Sequence, residues 1–521
     1  MSLSSLTDRY RAHGTARVVE IDVSGTRREI TQSELHALAA RRAEQLTAAG
    51  VRRGHVIGIR AGNSIDWLTW DLAALAVGAL LKAFPDATDV PDPEKFVAEH
   101  GLALLIADDP VPATAPAVVR PDGVPPAGAV PATAEVTDRP DLHSLVYSSG
   151  TSGRLKGLEI SAAGTAYVIN RFVDAFGLTG DDRHLIFLPL SNYQQRLSVY
   201  CCLWLGADLV LAPYQRVFPS VRRERPTFLI GPPVFYDTAL QLYAGGKAGG
   251  TLHDFLGGHI RFLITGMAPI RRETLDGYWS RDVRLLEAYG LTETGMIAWN
   301  TEDAARPGTV GRLIDPEAVT VLDDGEVVID RPAPLSLGYF ETDGESAPED
   351  TFRPDGSILT GDYGRLDEDG YLTLVGRKKD VIVLGTGRKV HPAEVEAAFA
   401  AVTGLAEIVV VPTPHSGRIG AIVTPADPGD PELRSSLRTR IAEVNHALDA
   451  DHRVTSLVFS ERPLRSDPAF MTGNLKLSRG KAAEHFAGAG EAVLVGSASG
   501  SGHGSGSGQG SANGSGRGGA R

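Results

Sequence analysis

Apolar residues recur at helical spacing in the first part of the chain and alternate there with short apolar runs. The segment 30–50, ITQSELHALAARRAEQLTAAG, has Thr31 and Ser33 near its start and predicts an amphipathic helix with a capped N-terminus. The run GHVIGIR at 54–60 predicts a strand, and helix and strand patterns continue to alternate to about residue 115. This order is typical of parallel sheets that are covered by helices.

Changes of pattern divide the rest of the chain. Residues 110–140 are rich in Pro, Ala and Val with little periodicity, which indicates a surface excursion. A second helix–strand alternation spans 158–300, whereas 303–375 consists of short strands and turns and predicts a small β-rich subdomain. A compact α+β module follows Arg377. The Gly/Ser-rich segment 496–521 cannot bury apolar surface, so we expect it to be disordered and assign it no function.

Composition narrows the class of protein. With 521 residues, of which 42% are hydrophobic, the chain is long enough for two or three domains. Its net charge of -13 and the lack of any cluster of five or more basic residues argue against a nucleic-acid surface. We therefore expect small-molecule substrates.

The cysteines and the longest apolar run bear on the compartment. Cys201 and Cys202 are adjacent in an apolar segment, so a disulfide framework is excluded and a reducing compartment fits. The longest apolar candidate, LAALAVGALL at 72–81, is too short to span a membrane and is interpreted as a core helix. The sequence shows no cationic apolar run that would predict a secretory leader, so we expect none. These features predict a cytoplasmic protein without a membrane partner.

The segment LVYSSGTSGRLKG at 145–157 places hydroxyl groups and glycines in a tight loop directly after an apolar strand. Such a loop aims backbone N–H groups and hydroxyls at one anion, and the following Lys156 adds a positive charge. A plain turn is the alternative for any Ser/Gly-rich stretch. The spacing also differs from the GxxxxGK[ST] of a P-loop NTPase. By itself, the loop leaves polyphosphate binding and a plain turn both open.

Four further motifs follow in a fixed order: AYGLTETG at 288–295, LTGDYG at 359–364, GRKKDVIVLGTGRKVHPAEVE at 376–396 and GNLKLSR at 473–479. With the first loop, this set resembles the adenylate-forming superfamily, which holds acyl-CoA synthetases, peptide-synthetase adenylation domains and beetle luciferases. The resemblance extends over nearly the whole chain to about residue 490. Its last motif is similar to that of the long-chain acyl-CoA synthetases.

The resemblance implies an α/β fold in two parts. A large N-terminal domain, residues 1–376, would contain two stacked αβ-layered subdomains and a small β-rich subdomain, and would bind ATP and the acid. A small, mobile α+β domain at 377–495 would carry the catalytic lysine and swing about a hinge at Lys379. The tail at 496–521 lies beyond both domains.

The resemblance also implies a site for ATP and Mg²⁺. The phosphates would be held by Ser148, Ser149, Gly150, Thr151, Ser152, Gly153 and Lys156. Thr292 and Glu293 would contact the α-phosphate and the metal, with Thr151 as a second metal ligand, and Tyr289 would stack on adenine beside Gly266, Met267 and Ala268. Asp362 and Arg377 would bind the ribose hydroxyls. Taken singly, these residues also suit a helix cap, a core tyrosine and a turn aspartate.

Lys476 is the candidate catalytic lysine of the second domain. In the related motif a lysine bridges the attacking carboxylate and the phosphate, where its charge stabilises the transition state. Most lysines are exposed and idle, and Lys481 is a nearby alternative. The arginine at 479 stands at the offset that favours Lys476.

The acid pocket is predicted near the segment FLPLSNYQQRLSVY at 187–200, with Asn192, Phe235, Met267 and Gly290 as lining residues. Here the chain departs from the acyl-CoA synthetase pattern. Asn192 replaces a histidine, Gln195 replaces a glutamate, Leu155 replaces the loop proline, and Ser161 stands at another histidine position. The identity of the acid is therefore not predicted.

Three functions remain open. In the first, the enzyme activates a small carboxylic acid as acyl-AMP with release of pyrophosphate and transfers it to a thiol of CoA or of a carrier protein. In the second, it is a diazotase that adenylates nitrite for attack by an aryl amine in specialised metabolism. The third, a nucleotide-binding protein without a reaction, is disfavoured by the complete motif set.

Overall fold

The computed structural model of the chain describes residues 14–112, 115–149, 155–246, 250–342, 348–413, 417–471, 477–487, 489 and 491–492. Several residues predicted for the site lie outside this description, namely Gly150, Thr151, Ser152, Gly153 and Lys476. The predicted tail at 496–521 lies outside it as well.

The larger of two major sheets has nine strands within the described residues. In spatial order they are β15 (Arg312–Leu313), β14 (Gly295–Trp299), β13 (Leu285–Leu291), β12 (Phe262–Thr265), β11 (Phe228–Gly231), β9 (Arg183–Ile186), β10 (Asp208–Leu211), β1 (Arg17–Ile21) and β2 (Arg27–Thr31). The strands from β13 to β1 pair in parallel, and antiparallel strands lie at both edges. The helix–strand alternation of the sequence thus gives the parallel sheet that it predicts.

The second major sheet has seven strands in the described part of the chain. In order they are β18 (Ser336–Glu341), β8 (Leu155–Ser161), β7 (Leu142–Ser149), β4 (Leu80–Ala83), β3 (Val56–Arg60), β5 (Leu102–Ala107) and β6 (Val118–Val119). Its strands pair in parallel from β6 to β7, whereas β8 and β18 are antiparallel additions. The antiparallel edge therefore contains both strands that flank the predicted phosphate loop.

Helices cover these sheets and separate them. They are α1 (Gln32–Ala49), α2 (Ile65–Val77), α3 (Pro93–Glu99), α4 (Ala162–Phe176), α5 (Tyr193–Leu205), α6 (Val217–Glu224), α7 (Pro233–Ala244), α8 (Leu252–Phe255) and α9 (Arg272–Trp279). The predicted capped helix at 30–50 is α1, where Thr31 and Glu34 form a capping box.

Alternate residues of the nine-stranded sheet point into two different cores. Phe262 and Ile264 of β12 belong to a cluster that also contains strand residues of the seven-stranded sheet and residues of α4 and α5. Leu263 between them belongs to a second cluster beneath α6 and α7. This period of two places a helical layer between the two sheets and another on the outer face, as the predicted stacked αβ layers require.

Smaller units complete the fold. A four-stranded sheet consists of β16 (Val319–Val321), β17 (Glu326–Ile329), β19 (Ile358–Leu366) and β20 (Leu372–Arg377). After it come a two-stranded unit, β21 (Ile382–Val383) and β22 (Lys389–Val390), and a second four-stranded sheet, β23 (Leu405–Pro412), β24 (Ile419–Pro425), β25 (Val454–Phe459) and β26 (Glu491–Ala492). The helices of this last region are α10 (Pro392–Ala398), α11 (Pro431–Ala447) and α12 (Arg479–His485). It has its own apolar core, which fits the predicted small α+β domain.

The interpretation of residues 72–81 as one core helix is wrong. Helix α2 ends at Val77, Gly78 terminates it in the left-handed conformation with φ 70°, and β4 begins at Leu80. A short apolar run does not by itself distinguish a buried helix from a buried strand. No helix in the described ranges combines the length and the apolarity needed to cross a bilayer.

Candidate active site

Strand β13 and the turn after it carry Tyr289, Gly290, Thr292 and Glu293. The strand pairs in parallel with β12 and antiparallel with β14, with a β-bulge between Tyr289 and Gly290. A Cβ atom at Gly290 would lie 2.6 Å from the Gly295 carbonyl oxygen, so the tight return to β14 requires glycine there. Thr292 and Glu293 are both partly exposed in the turn, where their side chains can meet a ligand.

Tyr289 lies beside the two residues that were predicted to bind ribose, Asp362 and Arg377. Its hydroxyl donates a hydrogen bond to Oδ2 of Asp362 at 2.8 Å, and Nε of Arg377 lies 3.2 Å from Oδ1 of the same carboxylate. Asp362 and Arg377 are direct partners across β19 and β20. Burial, together with Asp362, holds the pKa of Tyr289 well above its usual value, so the phenol remains a donor. We call these three residues the ribose-side cluster.

The strands β7 and β8 bring the two ends of the predicted phosphate loop together. Ser148 pairs with Lys156 and Ser149 pairs with Leu155 across this hairpin. The structure thus places Ser148, Ser149 and Lys156 at the rim of the segment 150–154, which lies outside the described residues.

Tyr339 of β18 connects Lys156 to Glu293. The tyrosine hydroxyl donates to Oε1 of Glu293 at 3.1 Å, and Nζ of Lys156 lies 5.3 Å from the centre of the tyrosine ring. We call Lys156, Glu293 and Tyr339 the phosphate-side cluster. Sequence reasoning identified its two charged members and missed the tyrosine, because nothing local indicates that β18 pairs with β8.

Arg331 fixes the backbone of the turn that carries Thr292 and Glu293. Its guanidinium donates to the carbonyl oxygens of Thr294 at 3.0 Å and Met296 at 2.7 Å. Its Nε lies 2.8 Å from Oδ2 of Asp315, which is 2% exposed. A buried arginine that is paired with a carboxylate and donates directed hydrogen bonds is hard to displace. Arg331 therefore restrains the main chain of this turn. Neither Arg331 nor Asp315 was predicted.

The loop 266–268 lies beside the ribose-side cluster. A Cβ atom at Gly266 would be 3.1 Å from the carbonyl oxygen of Ala288, the residue before Tyr289. Met267 has φ 70°, a left-handed conformation that is uncommon outside glycine and concentrated at functional loops. Ala268 is exposed. The structure therefore brings the three residues of the predicted adenine-side loop next to Tyr289.

Glu287 lies at the same edge, opposite Thr265 of β12. Its Oε2 accepts a hydrogen bond from the Gly308 amide at 2.6 Å. Burial raises the pKa of Glu287 from 4.5 to about 7, against the opposing effects of that hydrogen bond and of Arg272. A carboxyl group beside the candidate nucleotide site therefore titrates near neutral pH.

The predicted acid-pocket residues are more scattered. Asn192 is the N-cap of α5, with its side-chain oxygen accepting from the Gln194 amide at 3.1 Å. Phe235 is fully buried on α7, where its ring lies 4.6 Å from that of Phe187 and 5.4 Å from that of Phe218 in the outer core. The described contacts give Phe235 a packing role and do not join it to Asn192. Met267 and Gly290, by contrast, both lie next to the ribose-side cluster.

Gln195 is a polar residue of α5. In the sequence it was noted only because it replaces a glutamate of the related motif. It is 1% exposed, and neither of its side-chain amide atoms has a hydrogen-bond partner in the described part of the chain. Buried side-chain amides usually have hydrogen-bond partners. The Gln195 amide is therefore an exception, a polar group within the core close to Asn192.

The junction between the two parts of the chain follows Arg377. Lys378 and Lys379 lie in a short 3-10 turn, Lys378–Asp380, and Nζ of Lys378 forms an ion pair of 2.6 Å with Glu326 of β17. Lys379 is exposed. The predicted hinge residue is thus placed one step beyond a residue that is tied to the β-rich subdomain.

The described neighbours of Lys476 are firmly anchored. Met471 and Leu477 form an antiparallel β-bridge on either side of residues 472–476. Nη2 of Arg479 donates to Oε2 of Glu396 at 2.9 Å, and Nη1 donates to the carbonyl oxygen of Val410 at 3.0 Å. Arg479 therefore fixes α12 to the C-terminal sheet.

Searches against known proteins identify relatives along nearly the whole chain. The chain is 30% identical over 447 residues to a feruloyl-CoA synthase from Amycolatopsis sp, covering 79% of this chain and 88% of the relative. It is 26% identical to the long-chain-fatty-acid–CoA ligase FadD15 of Mycobacterium bovis, covering 90% of this chain and 93% of that one. The crystal structure of ATP-bound MatB from Rhodopseudomonas palustris superposes with a TM-score of 0.74 at 25% identity, covering 93% and 99% of the two chains.

Family models give the same assignment. The model described as AMP-binding enzyme matches residues 7–339, and the model described as AMP-binding enzyme C-terminal domain matches residues 379–493. Together these matches place the protein in the AMP-binding enzyme family.

Proposed function

We propose that this chain, an ATP-dependent and AMP-forming acid ligase by family, activates a carboxylic acid as its acyl adenylate and transfers the acyl group to the thiol of coenzyme A. The AMP-binding family match supports the first step, and the names of the two relatives, a feruloyl-CoA synthase and a fatty-acid–CoA ligase, support coenzyme A as the acceptor in the second. They act on chemically different acids, so the acid of this chain is left unspecified.

One structural observation carries the proposal. Strand β13 and its turn place Tyr289 in the ribose-side cluster and Glu293, four residues later, in the phosphate-side cluster. A nucleotide that spans both clusters would have its sugar at Asp362 and its phosphates toward Lys156. This order of contacts is the order of groups in ATP.

The donor set suits ATP with a magnesium ion. The Asp362 carboxylate has four lone-pair directions, and the tyrosine hydroxyl and arginine in contact with it leave acceptor capacity for ribose hydroxyls. Within the described residues there is no group of three or more acidic, histidine or cysteine side chains that could cage a metal. A single partly exposed carboxylate, Glu293, fits Mg²⁺, which is commonly held by one or two carboxylates together with substrate phosphates.

In the first step, a carboxylate oxygen of the acid attacks the α-phosphorus, and the bond to the bridging oxygen breaks as pyrophosphate leaves. Lys156 would neutralise charge on the phosphates, and Thr292 would donate to an α-phosphate oxygen. Glu293, with Thr151, would hold the magnesium ion, which supplies charge neutralisation when bound. Lys476 would contact both the attacking carboxylate and the α-phosphate, where negative charge spreads in the transition state.

In the second step, the thiol of coenzyme A gives up its proton and its sulfur attacks the acyl carbon. The thioester forms as the bond between the acyl carbon and the phosphate oxygen breaks, and AMP leaves. We propose that the chain divides into an adenylation domain at 1–376 and a mobile domain at 377–495, with Lys379 as the hinge. Rotation about this hinge would withdraw Lys476 after the first step and admit the thiol.

Pyrophosphate release with a panel of acids tests this function. The panel contains fatty acids, aryl acids, amino acids and nitrite, each with ATP and Mg²⁺, and acid-free wells as controls. A carboxylic acid that stimulates release and gives a CoA thioester by mass spectrometry supports the proposal. Stimulation by nitrite alone, with a diazonium dye from an added aryl amine, would replace it with the diazotase alternative. ATP binding without release in any well would leave the non-catalytic alternative.

A further inference from the structure

Tyr339 lies between two residues of the proposed site that are far apart in sequence. Its hydroxyl donates to Oε1 of Glu293 at 3.1 Å. Nζ of Lys156 is 5.3 Å from the centre of its ring, within the range of a cation–π interaction. One side chain therefore contacts both the carboxylate proposed to hold the metal and the ammonium proposed to hold phosphate.

The ring of Tyr339 is held from two directions. Its backbone belongs to β18, where it pairs with Leu158 of β8, two residues after Lys156. The ring of Phe352 packs edge-on against the phenol, with the ring centres 5.0 Å apart and the planes at 83°. Because backbone and ring are both supported, the hydroxyl is presented to Glu293 from a fixed direction.

Strand β18 also holds the main chain of Glu293. The amide of Ser336 donates to the Glu293 carbonyl oxygen at 3.3 Å, and the Ser336 hydroxyl donates to the carbonyl oxygen of Glu159 in β8 at 3.1 Å. The backbone and the side chain of Glu293 are thus both tied to β18, which pairs with β8, the strand that follows the phosphate loop.

We propose that Tyr339 is a positioning residue, which orients the Glu293 carboxylate for the metal and holds the Lys156 ammonium beside it. The inference rests on the proposed function, since it concerns the same site. A hydroxyl that donates to one carboxylate oxygen restricts rotation of the group, and partners of this kind typically change metal affinity about 10- to 100-fold. The ring acts separately, through the ammonium.

Two substitutions separate these effects. Tyr339→Phe removes the hydroxyl and keeps the ring, whereas Tyr339→Leu removes both. In the presence of a non-hydrolysable ATP analogue, Mn²⁺ affinity is measured by electron paramagnetic resonance of the free ion. Affinity for the analogue without metal is measured by calorimetry. We expect Tyr339→Phe to weaken Mn²⁺ binding about 10- to 100-fold with metal-free binding unchanged, and Tyr339→Leu to weaken both.

A double-mutant cycle tests whether the hydroxyl acts through Glu293. In the Glu293→Gln background, Tyr339→Phe should cause little further loss of Mn²⁺ affinity, because the carboxylate that it orients is gone. Tyr147→Phe is the matched control. Its hydroxyl also donates to a glutamate, Glu341, at 3.0 Å in the same sheet, and it should leave Mn²⁺ binding unchanged.

The outcomes separate this inference from the proposed function. Equal Mn²⁺ affinity in the wild type and Tyr339→Phe would overturn the positioning role while leaving the ligase activity intact. Additive losses in the cycle would also overturn it, because the hydroxyl would then act independently of Glu293. A wild type that binds neither the analogue nor Mn²⁺ would remove the proposed function, and the role of Tyr339 with it.

Discussion

Glu287 provides a quantitative test of the electrostatics beside the candidate site. The substitution Glu287→Gln keeps the shape of the side chain and an oxygen that can accept from Gly308, but it removes the titrating proton. Since burial raises the pKa of Glu287 from 4.5 to about 7, the folded protein retains this proton at pH values where the unfolded chain has lost it.

The sign and size of the effect follow from linkage. A raised pKa contributes stability that is fully present below pH 4.5, declines as the pH rises, and is lost above about pH 7. At about 1.36 kcal/mol for each pKa unit, a rise from 4.5 to about 7 corresponds to about 3 kcal/mol. Because glutamine resembles the protonated acid, the variant should lack this pH-dependent loss.

Denaturant unfolding of wild type and variant between about pH 5 and 8.5 measures the difference. We expect the free energy of unfolding of Glu287→Gln, relative to wild type, to increase by about 2.5 kcal/mol over this range, since the part of the effect below pH 5 lies outside it. The control is Glu317→Gln at an exposed position, which should show no such trend. A difference between Glu287→Gln and wild type that is the same at both ends of the range would refute the reasoning.

Three further outcomes are expected. Lys476→Ala should lower acid-dependent pyrophosphate release about 10²- to 10³-fold and leave ATP binding measurable by calorimetry. Lys481→Ala, the control, should retain activity. Full activity of Lys476→Ala would refute the assignment of Lys476 as the catalytic lysine. Arg196 and Asp71 form a buried ion pair, with Nη2 2.5 Å from Oδ1 and side chains 0% and 2% exposed. Arg196→Met should lower the free energy of unfolding by about 3–5 kcal/mol, because it leaves the Asp71 carboxylate buried without its charged partner. Converting Asp71 to Leu as well should recover part of the loss, and no recovery would contradict the role of the pair. Gly311→Ala should be severely destabilised, because a Cβ atom there would lie 1.9 Å from a main-chain carbonyl carbon. A thermal melt should therefore show little of the folded protein's unfolding transition. A normal transition would show that the main chain at 311 and the main chain that carries this carbonyl can move apart at little cost.

Local patterns in the sequence predicted much of the fold. The capped helix at Thr31 and the parallel strands followed from periodicity and capping, which depend on neighbouring residues. The division of residues 72–81 into a helix and a strand did not, although Gly78 was an available stop signal. Asn192 was assigned to the acid pocket through a resemblance, whereas in the structure it is the N-cap of α5.

Contacts between segments that are distant in sequence limited how much of the site could be predicted. The predicted ribose-side residues adjoin one another, and their motifs could be recognised singly. Tyr339 and Arg331 act on the turn at Glu293 and Thr294 from strands and loops that lie some forty residues away. No local signal marks such contacts, because they depend on which strands become neighbours. The roles assigned to the site residues stay predictions until the assays above are made.

The hydrogen bonds from Arg331 to the turn at 292–296 have a practical consequence for protein engineering. Arg331 holds this turn through carbonyl oxygens of the main chain, and every residue type possesses such an oxygen. Side chains at 292 and 293 can therefore be exchanged while the loop keeps its course. Libraries at these two positions should sample altered chemistry on a constant backbone, so that inactive clones report on catalysis rather than on misfolding.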